Sequence, residues 1–97
     1  MYARVITFEV EPEKLADARK LIQQLAPDLS KKIGGLCEFI SLVRGDGKIV
    51  NISIFDSRSD AYAAVPKIMH VREHFADMGA SRPTPEEFEV VIHERVK

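Results

Sequence analysis

The stretch LCEFISLVRGDGKIVNISIF, residues 36–55, contains two alternating segments separated by a turn. Residues 36–43 and 49–55 are rich in β-branched and aromatic side chains, which favours two strands. Between them lies RGDGK, residues 44–48, whose two glycines can adopt the positive φ values that hairpin turns need. The stretch therefore predicts an antiparallel hairpin at the centre of the chain.

The hairpin is preceded by a predicted strand and a predicted helix. Residues 2–10 alternate between two sides, which is typical of a strand. A helix then opens at residues 11–13, where a proline and two glutamates suit the first turn, and it stops at the glycine pair 34–35. Pro27 removes one backbone hydrogen bond from it, so we expect a kink or a short second segment. The apolar stripe of this helix consists of Leu15, Ala18, Ile22, Leu25 and Leu29.

A second helix and a last strand are predicted after the hairpin. Capping-box spacing begins at Ser57, and Pro66 predicts that the helix restarts there. An apolar stripe then leads to a stop at Gly79, and its members are Ile68, Val71, Phe75 and Met78. Residues 81–85 predict a stiff loop, and residues 88–96 alternate again as a strand.

The predicted order of elements is strand, helix, strand, strand, helix, strand. Each half of the chain is one β-α-β unit, which is the split arrangement of the ferredoxin-like α+β fold. That fold has a four-stranded antiparallel sheet with two helices on one face. Because 97 residues is the usual size of one domain, we expect residues 1–97 to form a single domain.

Composition and charge exclude several classes of function. The 14 lysines and arginines balance 15 aspartates and glutamates, so there is no basic surface for nucleic acid or for an anionic membrane. No apolar run approaches the ~20 residues of a membrane helix, and the first residues do not resemble a secretory signal. The single cysteine cannot form an internal disulfide. Together these features predict a cytoplasmic protein.

Two helices can cover only one face of the sheet, so the composition of the other face is informative. We expect Val50, Ile52 and Ile54 to face the helices, as well as Phe88, Val90 and Ile92 on the last strand. The opposite face would then carry a mixture of apolar and polar residues: Val5, Thr7, Ile49, Asn51, Ser53, Phe55, Val91, His93 and Arg95. A half-apolar face of this kind predicts a homodimer that forms through the uncovered sheet face. The alternative is a solvent-exposed face with a few scattered apolar residues.

Two histidines on the second helix are the strongest candidates for chemistry. His70 and His74 are four residues apart and share a helix face, with His74 beside the apolar stripe and His70 further toward solvent. A histidine in such a position can line a pocket and transfer protons near neutral pH. The spacing also suits two metal ligands, but no third ligand is present, so we predict no metal site. The alternative is that both are ordinary surface histidines.

Other polar residues fit structural roles at least as well as functional ones. Asn51, Ser53 and His93 would line the interior of a dimer or form hydrogen bonds across it. Arg4 would extend along the sheet edge to solvent, or hold an anionic substrate group. We expect Cys37 to be a small buried apolar residue.

Four segments resemble proteins of the dimeric α+β barrel superfamily, and most closely the antibiotic-biosynthesis-monooxygenase-like proteins. They are Ile33-Gly34-Gly35-Leu36, Ile54-Phe55-Asp56-Ser57, His70-Val71-Arg72-Glu73-His74-Phe75 and Phe88-Glu89-Val90-Val91. The resemblance covers the whole chain and rests on the layout of the elements. It implies a homodimer and a substrate pocket between the second helix and the sheet.

The resemblance also implies a reaction. The monooxygenase-like members use neither metal nor flavin: a base removes a proton from an electron-rich aromatic substrate, and oxygen reacts with the anion. The segment with His70 and His74 lies where those proteins often place a histidine. The haem-degrading relatives also use a first-strand asparagine and a tryptophan. This chain has Ile6 or Thr7 at the strand position and no tryptophan, which argues against haem degradation.

The sequence leaves two leading functions open, and an isomerase or stress-response role on the same fold is a third alternative. The first is a monooxygenase-like enzyme without cofactors, acting on a small hydrophobic aromatic or polyketide-like substrate. In that case His70 or His74 would project into a pocket lined by Phe8, Asn51, Ile54, Phe75 and Met78. The second is a non-catalytic dimer of the same fold that binds a small ligand or serves in assembly.

Overall fold

The computed structural model of the chain describes residues 1–96, without the side chain of Ser30. The strands and helices are β1 (Tyr2–Glu9), α1 (Leu15–Lys32), β2 (Leu36–Val43), β3 (Lys48–Phe55), α2 (Arg58–Ala63), α3 (Val65–Glu73) and β4 (Thr84–Glu89). Short 3-10 turns at Pro12–Lys14 and Ala76–Met78 lie next to α1 and α3. The predicted order of elements is confirmed, with the second helix divided into α2 and α3.

The four strands form one antiparallel sheet in the order β2-β3-β1-β4. The fold is therefore ferredoxin-like, as predicted, with β3 and β1 in the centre and β2 and β4 at the edges. The register between β2 and β3 shifts between Leu36 and Glu38, which leaves Cys37 in a β-bulge.

The turns and helix ends follow local chemistry. Gly47 has a φ of +97°, and a Cβ atom there would collide with the carbonyl oxygen of Val10, so the hairpin turn can pack closely against the end of β1 only with glycine. The Ser57 hydroxyl accepts a hydrogen bond of 3.2 Å from the backbone N–H of Asp60 and caps α2. Helix α1 continues through Pro27 as one element, so the expected second segment is absent.

The core between helices and sheet consists of two separate clusters. The first surrounds Phe8 and Phe75, whose rings pack edge to face at 5.4 Å, and includes Ile49 of β3. The second surrounds Phe55, which is completely buried, and includes Ile33 after α1. Each cluster therefore joins one end of the sheet to the helices above it.

The prediction of which β3 residues face the helices is wrong. Residues directly opposite one another in a ladder share a face, and Phe8 of the core is opposite Ile49. Ile49, Asn51, Ser53 and Phe55 therefore face the helices, and Val50, Ile52 and Ile54 face away. Both sides of β3 carry large apolar residues, so alternation alone could not distinguish them, and a shift of one residue exchanges the two faces.

The prediction for the last strand is also wrong. Strand β4 ends at Glu89, so residues 90–96 lie outside the sheet. Phe88 is opposite Ala3 and faces away from the helices, contrary to the prediction. The prolines in residues 81–85 favoured a loop, but an edge strand tolerates Pro85, because an edge residue can lack a hydrogen-bond donor on its solvent side.

The uncovered face of the sheet is more apolar than predicted. Its apolar members are Ala3, Val5, Ile40, Leu42, Val50, Ile52, Ile54 and Phe88. The segment after β4 lies beside this face, since His93 Nε2 is 3.0 Å from Glu38 Oε1 of β2. In this segment Val91 and Ile92 are almost fully exposed, at 90% and 78%. Among residues 1–96, no helix has the length and apolar content needed to cross a membrane.

Candidate functional site

A groove of about 740 Å³ lies between the second half of α1 and helix α3. Its apolar wall is formed by Leu25, Leu29, Ile33 and Val71. Leu25 and Val71 also pack against the first core cluster, and Leu29 and Ile33 belong to the second. The groove therefore lies where the two clusters separate, and it is open to solvent on one side.

Both histidines of α3 line this groove. Helix α3 begins at Val65 with Pro66 in its first turn, which places His70 and His74 one turn apart on the same side. Their rings are 5.7 Å apart between centroids and nearly perpendicular, at 79°. His70 Nδ1 is 3.6 Å from Glu73 Oε2, and both of these side chains are exposed. The sequence could not decide which histidine reaches a pocket; the structure brings both to the same one.

The rim of the groove carries charged residues that the sequence did not single out. Lys32 and Asp28 come from α1, and Lys67 comes from the first turn of α3. The Lys67 ammonium group donates a hydrogen bond to the backbone carbonyl oxygen of Lys32. This bond connects the start of α3 to the last turn of α1 and holds a positive charge between the two helices.

The other predicted pocket residues lie elsewhere. Phe8 and Phe75 are buried in the first cluster, and Met78 packs against them. Asn51 faces the helices from the middle of β3, where its Oδ1 accepts a 2.6 Å hydrogen bond from the Ser41 hydroxyl. Ile54 is opposite Ala3 on the far side of the sheet. Of the predicted set, the two histidines alone line the groove.

A second polar cluster lies under α2, around Arg4. The Arg4 guanidinium is buried: Nη1 donates to the Ala61 carbonyl oxygen at 2.9 Å, and Nη2 donates to Glu87 Oε1 at 2.8 Å. The interpretation that Arg4 extends to solvent is therefore wrong. Tyr2 and Tyr62 both donate to Glu87 Oε2, at 3.2 Å and 3.5 Å. Such a set of mutually satisfied groups fixes β4 and α2 to the sheet.

The electrostatics of this cluster follow from its contacts. The hydrogen bond from Arg4 is the main reason why the pKa of Glu87 lies below its usual value. Loss of hydration, followed by the charge of Glu87, raises the pKa of Tyr2. Both pKa shifts favour an ionised Glu87 carboxylate beside a neutral Tyr2 phenol, which is the pattern of a structural pair rather than of a proton donor.

Cys37 is exposed in the β-bulge, so its interpretation as a buried apolar residue is wrong. Its thiol donates to Asp56 Oδ1 at 3.0 Å. This hydrogen bond, with the loss of hydration and the nearby carboxylate charge, raises the pKa of Cys37. Since the thiolate is the reactive form, the environment of Cys37 opposes a nucleophilic role.

The part of the chain that the structure describes contains no group of three or more His, Cys, Asp or Glu side chains placed to hold a metal ion.

Lys32 and Lys67, which the sequence analysis did not single out, could have been found from their helical spacing. Lys67, His70 and His74 recur at steps of three and four, as do Leu25, Leu29 and Lys32 on α1, so each set lies along one helix face. What the sequence did not show is that these two faces are turned toward each other across a gap.

Comparison with known structures identifies the fold. A monooxygenase from the gene ActVA-Orf6 of Streptomyces coelicolor, in complex with nanaomycin D, superposes with a TM-score of 0.75 and 16% identity over 99% of this chain and 92% of that one. The haem degrader MhuD of Mycobacterium tuberculosis, with two haems in its active site, gives 0.77 and 21% over 98% and 100%. A dimeric ferredoxin-like protein from an uncultured marine organism gives 0.74 and 13% over the full length of both chains.

This chain has the same ferredoxin-like fold as these proteins. Further matching structures, including one from Deinococcus radiodurans, are described as antibiotic biosynthesis monooxygenases or as candidates for that activity. Comparison with protein-family models gave no match, and neither did comparison with curated protein sequences. Identities at this level establish the ferredoxin-like fold alone and leave the activity to be argued from the groove itself.

Proposed function

We propose that this chain is a monooxygenase-like enzyme without cofactors that acts on a small hydrophobic aromatic or polyketide-like substrate in the groove between α1 and α3. The observation that carries the proposal is the placement of both His70 and His74 on the wall of a groove of about 740 Å³ with an apolar side. This volume lies within the range of small-molecule sites, about 300–1,000 Å³.

The reaction requires the protein to place a base beside the bound phenol. A neutral imidazole takes the phenolic proton, and the resulting electron-rich anion reacts with molecular oxygen. One oxygen atom enters the ring and the other leaves as water, so a phenol and oxygen give a quinone and water. In this scheme oxygen is the oxidant.

The two histidines are not equivalent candidates for the base. His70 has the Glu73 carboxylate 3.6 Å from its Nδ1, and both side chains are exposed. His74 caps the end of α3 and directly precedes Phe75, which is anchored in the core. The backbone of His74 is therefore attached directly to a residue that is fixed in the core, whereas His70 is one helical turn further from it.

The test is oxygen uptake with hydroxynaphthalenes that can form quinones. His70→Ala and His74→Ala are assayed separately, and loss of the general base is expected to reduce the rate about 10²- to 10⁴-fold in one of them. His93→Ala is the matched control, because His93 contacts Glu38 on β2 and lies outside the groove. Unchanged oxygen uptake in both α3 variants would contradict the proposed role of these histidines.

A second function, ligand binding without catalysis, is favoured by one feature of the groove. It is open to solvent, whereas oxygenation of a reactive anion benefits from the exclusion of water. Saturable binding of hydroxynaphthalenes with no oxygen uptake, in the wild type and in both histidine variants, would support this function instead.

We also propose that the chain forms a homodimer through the uncovered sheet face. The face carries eight apolar residues on four adjacent strands, of which Ile40, Leu42 and Phe88 are exposed, and contiguous exposed apolar surface often marks an interface. The dimeric ferredoxin-like protein of the same fold supports this assembly. Sedimentation equilibrium at micromolar concentration is expected to give twice the 10.9 kDa chain mass, and a monomer would contradict it.

A further inference from the structure

We infer that the ligand of the groove is an apolar ring system that carries an acidic group, and that Lys67 and Lys32 hold this group. The inference rests on the proposed function in one respect: it assigns a substrate class to the same groove. It does not depend on whether the bound molecule is oxidised.

The charges on the groove lining favour an anion. The residues that line the groove include two lysines and one aspartate, Asp28. The chain as a whole has a formal charge of −1. The lining is thus locally positive on a protein that is slightly negative, which is charge complementarity for an anionic ligand.

Lys67 is held in place for this role. Its ammonium group has three donors, and one of them is used by the carbonyl oxygen of Lys32. Two donors remain for a ligand, on a side chain whose freedom is already reduced, so less entropy is lost on binding. Lys67 also lies in the first turn of α3, where the helix dipole adds partial positive charge.

The apolar wall indicates the size of the ring system. Leu25, Leu29 and Ile33 follow one another along the helix over eight residues, which is about 12 Å at 1.5 Å per residue. Lys32 lies at one end of this wall and Lys67 closes the same end. A bicyclic or tricyclic body could lie along the wall with its acidic group at the lysines. The class we infer is therefore an aromatic carboxylic acid or an acid of similar shape.

The test compares two probes of nearly equal shape: 1-naphthoate, which is anionic, and 1-naphthamide, which is neutral. Affinities are measured by isothermal titration calorimetry on the full chain in its native assembly. We expect 1-naphthoate to bind at least tenfold more tightly. Lys67→Gln and Lys32→Gln should each reduce that preference several-fold and leave the affinity for 1-naphthamide unchanged. Lys31→Gln is the matched control, since Lys31 is the neighbouring lysine on α1 and does not line the groove.

Each outcome decides the inference. Equal affinity for the two probes, binding of neither, or a preference that survives both variants would overturn it. If Lys67→Gln disturbs the end of α1, as circular dichroism would show, Lys32→Gln alone decides, because its side chain is not the donor in that bond. A clear preference for 1-naphthoate in a protein that shows no oxygen uptake would support the acid-binding groove and contradict the proposed monooxygenase activity.

Discussion

The two faces of the sheet differ in where they carry polar and apolar side chains. The face covered by helices has polar residues in its centre, with Arg4 on β1 and Asn51 and Ser53 on β3. The face without a cover is apolar on all four strands and has exposed side chains such as Leu42, at 50%, and Phe88, at 49%.

The difference teaches how each face is stabilised. On the covered face, Arg4 and Asn51 have partners in Glu87, Ala61 and Ser41. No buried side-chain nitrogen or oxygen atom among the described residues lacks a hydrogen-bond partner. Burial there costs little, because the polar groups are satisfied. On the uncovered face, Ile40, Leu42 and Phe88 remain exposed, and a second molecule would remove this apolar area from water. The first face is complete in one chain, and we propose that the second is completed by two.

The largest expected effect is on the covered face. Phe55→Ala removes a completely buried ring from the second cluster and should lower the free energy of unfolding by about 4 kcal/mol. Ile52→Ala, at a partly buried position of the uncovered face, should cost clearly less in dilute solution. Urea unfolding at low protein concentration measures both. Equal losses would show that the two faces do not differ in this way.

The next effect should appear in the assembly of the chain. Leu42→Lys places an unpaired charge twice in a two-fold interface and should raise the dimer dissociation constant at least a hundredfold. Met69→Lys is the matched control, because Met69 is exposed to a similar extent, 54% against 50%, but lies on α3. Sedimentation velocity over a dilution series distinguishes the two. The comparison fails if Leu42→Lys remains as dimeric as Met69→Lys.

The smallest effect is a change in the pH dependence of stability. Because the pKa of Glu87 is lowered in the folded chain, its contribution is fully present above the unfolded value of about 4.3 and is lost as the pH falls through the lower, folded value. Glu87→Gln should therefore have a lower Tm than the wild type at pH 7, and the gap should close in acid. Glu89→Gln, an exposed glutamate on the same strand, is the control. A gap that stays constant with pH would contradict the pairing of Glu87 with Arg4.

Local signals in the sequence were enough to predict the order of the elements. Ser57 caps α2 as its spacing predicts, and Gly35 and Gly79 end helical segments with positive φ angles. These features depend on backbone chemistry within a few residues, which a sequence displays directly. The number, type and order of the elements therefore followed from short-range patterns.

Features that depend on the whole fold could not be read in this way. The direction of Phe55 against Ile54 depends on which side of β3 the helices cover, and both residues are large and apolar. The start of β4 at Thr84 depends on pairing with β1, which overrides the loop signal of Pro85. At the candidate site, the histidine spacing was visible on one helix, but Lys32 and the leucines facing it belong to another. Their proximity is a property of packing.

Both edge strands of the sheet have features that oppose pairing with a strand of another molecule. On one edge, the bulge at Cys37 disturbs the regular spacing of β2 that an added strand would need. On the other, Pro85 lacks an N–H group, and Glu86, Glu87 and Glu89 would repel a second copy of the same edge. Fibril-like stacking of strands is opposed at both sides. In the dimer that we propose, the apolar sheet face would therefore pair face to face, while both edges oppose the addition of further strands.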